Sequence, residues 1–294
     1  MPEAEPEYAE DPTDGGPARV VGAWAKSKQF YVGRYMTIFA TSMQKKWDAL
    51  CYLDLFAGPG TCVVDGTADF YEGSALAAMA RPFSHFIFVD KDPVATWALG
   101  LRVDGVAAGR PVTIIESDCN DAIKQVIAAI PPRSLTLAFI DPTNWQIRFE
   151  TVRELVEDRS VDIILTFHGG MLKRISHIED QPRVDAFFGT TEWRKLVKGG
   201  RAPRLYDFCQ VYRDEMQTLG YADRAAPIDP LMRNSTDTPL YHLLFFSRSE
   251  VGQNFWNEVV AVSPTGQMNL FSASGSGKRR TRKQTRTTGS SSDR

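Results

Sequence analysis

Five short apolar runs, at 51–56, 85–89, 112–116, 135–140 and 161–167, each end in residues able to do chemistry. The first ends in Asp54-Leu55-Phe56-Ala57-Gly58-Pro59-Gly60, the second in Asp90-Lys91-Asp92 and the third in Ser117-Asp118-Cys119-Asn120. The fourth ends in Asp141-Pro142-Thr143-Asn144-Trp145, and the fifth in Thr166-Phe167-His168-Gly169-Gly170. Taken singly, an Asp in such a place caps a turn or a helix. Four of the five ends carry one, however, and the first also carries a glycine turn that lets the backbone approach a ligand with no Cβ in the way.

Chemistry separates two ligands for such a rim. A dinucleotide needs a three-glycine turn to hold its pyrophosphate. Gly58-Pro59-Gly60 is not that turn, and Asp54 and Asp118 would repel the phosphates. A cation with an ammonium and a sulfonium suits the acids, and S-adenosylmethionine has both. In that reading Phe56, Gly58 and Gly60 form the cofactor turn and Asp90 accepts from the ribose hydroxyls. Asp118 accepts from the adenine amino group, and Asp54 sits near the methionine end. The constellation resembles the class I S-adenosylmethionine-dependent methyltransferases.

The fourth run bears on the methyl acceptor. Asp141-Pro142-Thr143-Asn144-Trp145 resembles the (Asp/Asn/Ser)-Pro-Pro-(aromatic) motif of methyltransferases that act on exocyclic amines. Such an amine is a poor nucleophile, because its lone pair is drawn into the ring. Acceptors at the Asp141 carboxylate and the Pro142 carbonyl would orient it, and Trp145 would stack on the base. The motif departs in two places: Thr143 replaces the second proline, and the aromatic comes one position late. The alternative is a turn-forming Asp-Pro followed by a core Trp. His168 stands where a substrate loop could lie, and otherwise reads as a turn residue. Lys173 and Arg174 read as phosphate contacts or as a solvated pair. No nucleophile–base–orienter set for covalent catalysis is present.

These residues must be carried by elements. The five runs read as buried strands and the segments between them as helices, which predicts βαβ units around a parallel sheet. A long helix is expected over 20–47, and further helices over 182–198, 203–219 and 254–260. A weak strand near 224–233 and a clear one at 241–247 would pair antiparallel at one edge. The fold class is therefore a Rossmann-like, doubly wound, mostly parallel sheet of about seven strands, with an N-terminal helix. Asp54 and Asp90 are 36 residues apart, against roughly 20 in a compact nucleotide-binding unit. The excess, 61–72, reads as a loop over the cofactor mouth or as a surface insertion.

The chain has 294 residues and a net charge of −2, so it is not a polycation built to coat nucleic acid. Its charge is uneven. Residues 1–16 carry six acids and no base, and 278–286 carry six bases and no acid. Domain boundaries follow: a disordered acidic tail at 1–19, a methyltransferase-like domain at 20–262 with a helical segment near 171–220, and a disordered basic tail at 263–294. The basic stretch reads as an arm for nucleic acid or as a solubilising tail. Cys51, Cys62, Cys119 and Cys209 form no CxxC pair, so neither a zinc site nor a disulfide framework is expected. No apolar run approaches the ~18 residues that span a bilayer. The expected location is cytoplasmic.

Several motifs also resemble the three-Cys-motif partner protein family. They are 51–60, Gly73-Ser74-Ala75-Leu76-Ala77, Phe88-Val89-Asp90-Lys91-Asp92, Phe139-Ile140-Asp141-Pro142-Thr143, Met171-Leu172-Lys173-Arg174 and Asn254-Phe255-Trp256. The resemblance spans about 20–262. It implies a methyltransferase-like domain and association with a second protein that bears the three cysteines. Two functions follow: a methyltransferase acting on an amine nitrogen of nucleic acid or nucleotide, or a non-catalytic module that keeps the fold to recognise protein or nucleic acid.

Overall fold

The computed structural model describes residues 7–168, 181–198, 203–222 and 229–266. The chain forms β1 (Tyr8–Glu10), β2 (Pro17–Val21), α1 (Trp24–Met43), β3 (Ala49–Asp54), β4 (Thr61–Val64), β5 (Phe70–Glu72) and α2 (Ser74–Met79). It continues with β6 (His85–Asp90), α3 (Pro93–Asp104), β7 (Val112–Glu116), α4 (Cys119–Ala129), β8 (Ser134–Ile140), α5 (Phe149–Val156) and β9 (Ser160–His168). Then follow α6 (Gln181–Phe188), α7 (Trp193–Lys198), α8 (Leu205–Thr218), β10 (Leu231–Arg233), β11 (Pro239–Phe246) and α9 (Glu250–Val260).

Seven strands make one sheet in the order β10-β11-β9-β8-β3-β6-β7. β7, β6, β3, β8 and β9 run parallel, and β11 is antiparallel to both β9 and β10. Successive side chains feed opposite faces. Tyr52, Phe88, Phe139 and Phe245 pack with α1, α2, α3 and α9. Leu53, Val89, Ile140 and Phe246 pack with α4, α5, α6 and α8. Both faces are therefore apolar and covered, as a doubly wound sheet requires. This is a Rossmann-like, doubly wound fold. The crossover reverses between β3 and β8, which opens a crevice at their carboxyl ends.

The N-terminal expectation is corrected. Residues 7–19 were assigned to a disordered tail, yet they form β1 and most of β2. The segment 61–72 is neither loop nor plain insertion but the hairpin β4–β5. The two pieces join in a second sheet, β1-β2-β4-β5, with β2 parallel to β4. This pairing draws Val20 and Val21 into a strand, so α1 begins at Trp24 and not at residue 20. Lys26 pairs with Asp69, and Gln29 donates to the Glu72 carbonyl, which ties α1 to the hairpin. The pattern over 182–198 divides into α6 and α7 at Gly189, whose φ is +70°. The Lys173–Arg174 pair, the first half of the weak strand at 224–233 and the basic stretch 278–286 lie outside the described residues.

Arg102 on α3 holds the small sheet in place. It donates to Asp14 Oδ2 (2.7 Å), to the Pro17 carbonyl (2.8 Å) and to the Pro59 carbonyl (2.7 Å), and it lies 3.6 Å from the buried carboxylate of Asp11. One guanidinium thus joins the N-terminal segment to the glycine turn. Arg102→Met leaves Asp11 buried and unpaired, so a loss of about 3–5 kcal/mol is expected in urea denaturation. Limited proteolysis of that variant should cut first within 7–21. Asp14→Ala, removing a partly exposed partner, should cost under about 1 kcal/mol. Equal losses in the two variants would contradict this role for Arg102.

Candidate functional site

A cavity of about 930 Å³ opens at the carboxyl ends of the parallel strands. Ligand sites run to about 1,000 Å³. Its floor is the turn after β3. Gly58 and Gly60 have φ of +63° and +96°, where other residues are strained. A Cβ on Gly60 would also lie 3.1 Å from Leu99 Cδ1 and 3.2 Å from Leu76 Cγ. The bent turn lets Gly58 N–H donate to Asp90 Oδ2 (2.8 Å), while Asp92 N–H donates to Asp90 Oδ1 (3.0 Å). Each oxygen of Asp90 is held by one N–H, and a carboxylate has lone-pair room for further donors such as two ribose hydroxyls. Asp118 caps α4. It accepts from Asn120 N (2.8 Å) and Asn120 Nδ2 (2.7 Å), both on Oδ1.

The small sheet supplies one wall, to which Tyr8, Arg19, Cys62 and Tyr71 contribute. Tyr8 Oη donates to Asp92 Oδ2 (2.6 Å), and Arg19 lies over the Tyr8 ring at 5.3 Å. This contact fastens β1 across the α3 end of the cavity. Burial and the bond to Asp92 push the Tyr8 phenol above its ordinary value, so it remains a donor.

At the other end stand Asp141, Lys28, His168 and Tyr241. Lys28 pairs with Asp141 Oδ2 and lies 5.5 Å from the centre of the Tyr241 ring. Asp141 Oδ1 is buried and has no hydrogen-bond partner among the described residues. Burial alone would raise the Asp141 carboxyl. The Lys28 ammonium, with the Thr166 hydroxyl and His168 nearby, outweighs that and holds it below the usual carboxylate range. Burial lowers His168 to about 4, against the pull of Asp141, so the imidazole is neutral at pH 7.

The residues expected from the sequence divide into two groups. Phe56, Gly58, Gly60, Asp90, Asp118 and Asp141 line the cavity. Asp54, Pro142 and Trp145 lie behind its surface. Asp54 accepts from Phe56 N (3.1 Å) and Tyr52 Oη (3.3 Å) beneath the turn, and burial raises it to about 7. The expected stacking role of Trp145 is corrected. Its ring is 6% exposed and packs on Phe187 and Phe188, with centroids 4.9 and 5.8 Å away. Both of its faces belong to the core under β8.

Tyr8, Arg19, Lys28 and Tyr241 were not anticipated. Tyr8 and Arg19 fall in the segment assigned to the tail. Lys28 is one of several bases on a helix, and nothing in the spacing marks it out. Tyr241 resembles any strand aromatic. Among the described residues no three His, Cys, Asp or Glu side chains are placed to hold a metal ion, and no helix is long and apolar enough to cross a membrane.

No family model matches the chain, and no curated protein matches it. Solved structures give distant likenesses. A DUF574 family protein from Streptomyces avermitilis is 11% identical over 76% of this chain and 83% of its own, with a TM-score of 0.42. A SAM-dependent methyltransferase from Agrobacterium tumefaciens is 14% identical over 76% of this chain and 62% of its own, at 0.41. A DUF519 protein from Legionella pneumophila is 13% identical over 55% of this chain and 74% of its own, at 0.40. The strand order identifies the fold; these likenesses add no argument about function.

The buried carboxyl of Asp54 has a pH consequence. Its value near 7 lies above the unfolded value of about 4, so the folded state binds the proton more tightly. The stability this contributes is complete below pH 4 and is lost as pH rises through 7. Asp54→Asn removes the titration. Between pH 5 and pH 8 the native chain should lose about 2–4 kcal/mol more than the variant, read by urea denaturation at both values. Parallel loss in both proteins would mean that Asp54 is ionised throughout.

Proposed function

We propose that the chain is an S-adenosylmethionine-dependent methyltransferase acting on an amine nitrogen of a nucleotide or nucleic acid. The observation that carries this reading is the buried, unpartnered Oδ1 of Asp141, in the same cavity as the Asp90 carboxylate held on the glycine turn. The residues present fit the cofactor. Gly58 and Gly60 leave room for backbone approach, Asp90 has acceptor capacity for a ribose and Asp118 for an adenine amino group. Lys28 is paired with Asp141 and Arg19 lies over the Tyr8 ring, while Asp90 and Asp118 supply carboxylates to the rim. The cofactor would supply a methyl group on sulfonium, an electrophile that leaves a neutral thioether behind.

The chain's own contribution lies in binding and positioning. Asp141 Oδ1 accepts an N–H of the amine and so fixes the direction of the nitrogen lone pair. The nitrogen must lose one proton when it gains a methyl group, and Oδ1 is the acceptor on that path. Phe56 and the small sheet wall the cavity beside these groups. The resemblance to three-Cys-motif partner proteins adds a second protein to this reading, as the factor that brings the substrate. One observation favours a non-catalytic recognition module instead: Trp145, the expected stacking aromatic, belongs to the core.

Calorimetry with S-adenosylmethionine and a transfer assay with labelled cofactor on DNA, RNA and partner protein test the proposal. Asp90→Ala should weaken cofactor binding by about 1.5–3 kcal/mol, the scale of hydrogen bonds to a charged group. Asp141→Ala should leave cofactor affinity within about threefold while transfer falls about 10²-fold, because positioning at the reacting nitrogen is lost. Cofactor binding without transfer to any acceptor would favour the recognition module. No binding by a folded chain would overturn the methyltransferase reading.

A further inference from the structure

Lys28 stands near the start of α1, far in sequence from the strand ends, yet its ammonium meets Asp141 Oδ2. Both side chains are about four-fifths buried, at 19% and 20% exposure. The pair divides the carboxylate into two unlike oxygens. Oδ2 is engaged by Lys28, and Oδ1 has no partner among the described residues. The Thr166 hydroxyl is a second donor within reach of Asp141 and lowers its carboxyl, although its geometry falls short of an ordinary hydrogen bond.

We propose that Lys28 is a positioning residue that keeps Asp141 ionised, turns its second oxygen to the substrate and thereby selects a neutral N–H donor. The proposal rests on the methyl-transfer reading and deepens it. A lone buried carboxylate would attract an alkylammonium ion. Paired with Lys28 it has no net charge left for a cation, and it offers one acceptor oxygen. A protonated alkylamine also lacks the lone pair that must attack a methyl group. The acceptor that fits is a neutral amine conjugated to a ring, whose N–H is a good donor. His168 does not alter this balance, since it is neutral at pH 7.

The groups facing Asp141 come from every neighbouring element. Lys28 comes from α1, Thr166 and His168 from β9, and Tyr241 from β11; Tyr52 and Asp54 come from β3, and Cys62 from β4. Lys28 is the cation of this set. Burial raises Tyr52, Cys62 and Tyr241, so they stay neutral near pH 7. Without Lys28, the cation left to oppose burial at Asp141 is His168, itself lowered to about 4.

The test uses the full chain and two variants, Lys28→Met and Lys28→Arg, each checked for native circular dichroism. The first readout needs no activity: the Asp141 carboxyl is titrated by ¹³C NMR, with Asp141→Asn to assign the signal. It should titrate higher in Lys28→Met than in the unaltered chain and return towards the native value in Lys28→Arg. The second readout is transfer of labelled methyl to an oligonucleotide pool and to a lysine-containing peptide. The oligonucleotides should be preferred. Lys28→Met should lose about 10²-fold in kcat at pH 7, the scale of lost positioning, with cofactor affinity within about threefold. The acid limb of its pH profile should move to higher pH, and Lys28→Arg should recover most of the rate. An Asp141 titration unchanged in Lys28→Met overturns the role of Lys28 alone, as does preference for the lysine peptide. No transfer by the unaltered chain to either probe overturns the methyl-transfer reading beneath it.

Discussion

Burying carboxylates at one end of a parallel sheet is the constraint around which this molecule is arranged. β3 lies between β6 and β8 in parallel register, with Asp54 opposite Phe88 on one side and Phe139 on the other. Asp90 and Asp141 each follow two residues later, so the three acids gather at the same edge. Carboxylates brought together out of water need donors or counter-charges. Asp54 has backbone and hydroxyl donors and is driven towards its protonated form. Asp90 has two backbone N–H groups, one of them made available by the positive φ of Gly58. Asp118 has Asn120. Asp141 has a full positive charge, the Lys28 ammonium, and is the carboxylate held below its ordinary range. Different partners thus turn chemically identical side chains into a proton holder, two hydrogen-bond acceptors and a fixed anion.

The second sheet follows from the same need for partners. A cavity at the strand ends of an open sheet has walls only where other segments supply them. Here they come from residues 8–21 and from the hairpin after the glycine turn, which pair with each other through β2 and β4. Arg102 anchors that sheet from below, and Tyr8 fastens it at the rim through Asp92. The acids of the N-terminal segment, which look like the solvated charges of a tail, include Asp11 at 3% exposure beside Arg102. The glycine turn, its end of the cavity and the N-terminal segment therefore share one set of contacts. Disturbing Arg102 disturbs all three.

Much of the main fold was legible because its signals are local. Runs such as 135–140 are apolar at all but Thr136, as a strand buried on both faces demands, and Asp92-Pro93 announces a helix start that the structure keeps, with Asp92 capping Val94 N. Asp90, Asp118 and Asp141 were legible as a rim because strand ends in a parallel sheet converge by topology. Trp145 stays open between stacking and core in the sequence because an aromatic after a strand end reads the same whether it faces a ligand or a core. Its side was decided by Phe187 and Phe188 of α6, more than forty residues away.

By itself, then, the sequence determined the alternation of strands and helices, the doubly wound sheet and the acids at its carboxyl edge. These follow from periodicity, turn chemistry and covalent order, which act over a few residues. Tertiary structure alone decided that residues 8–21 join the hairpin at 61–72 in one sheet. It decided that Lys28 meets Asp141 across 113 positions and that Asp54 lies beneath the cavity floor while Asp141 opens into it. The physical reason is that a counter-charge or a strand partner is chosen by proximity in space. In the sequence, either lysine of α1 and any exposed-looking acidic segment would have satisfied the same local rules.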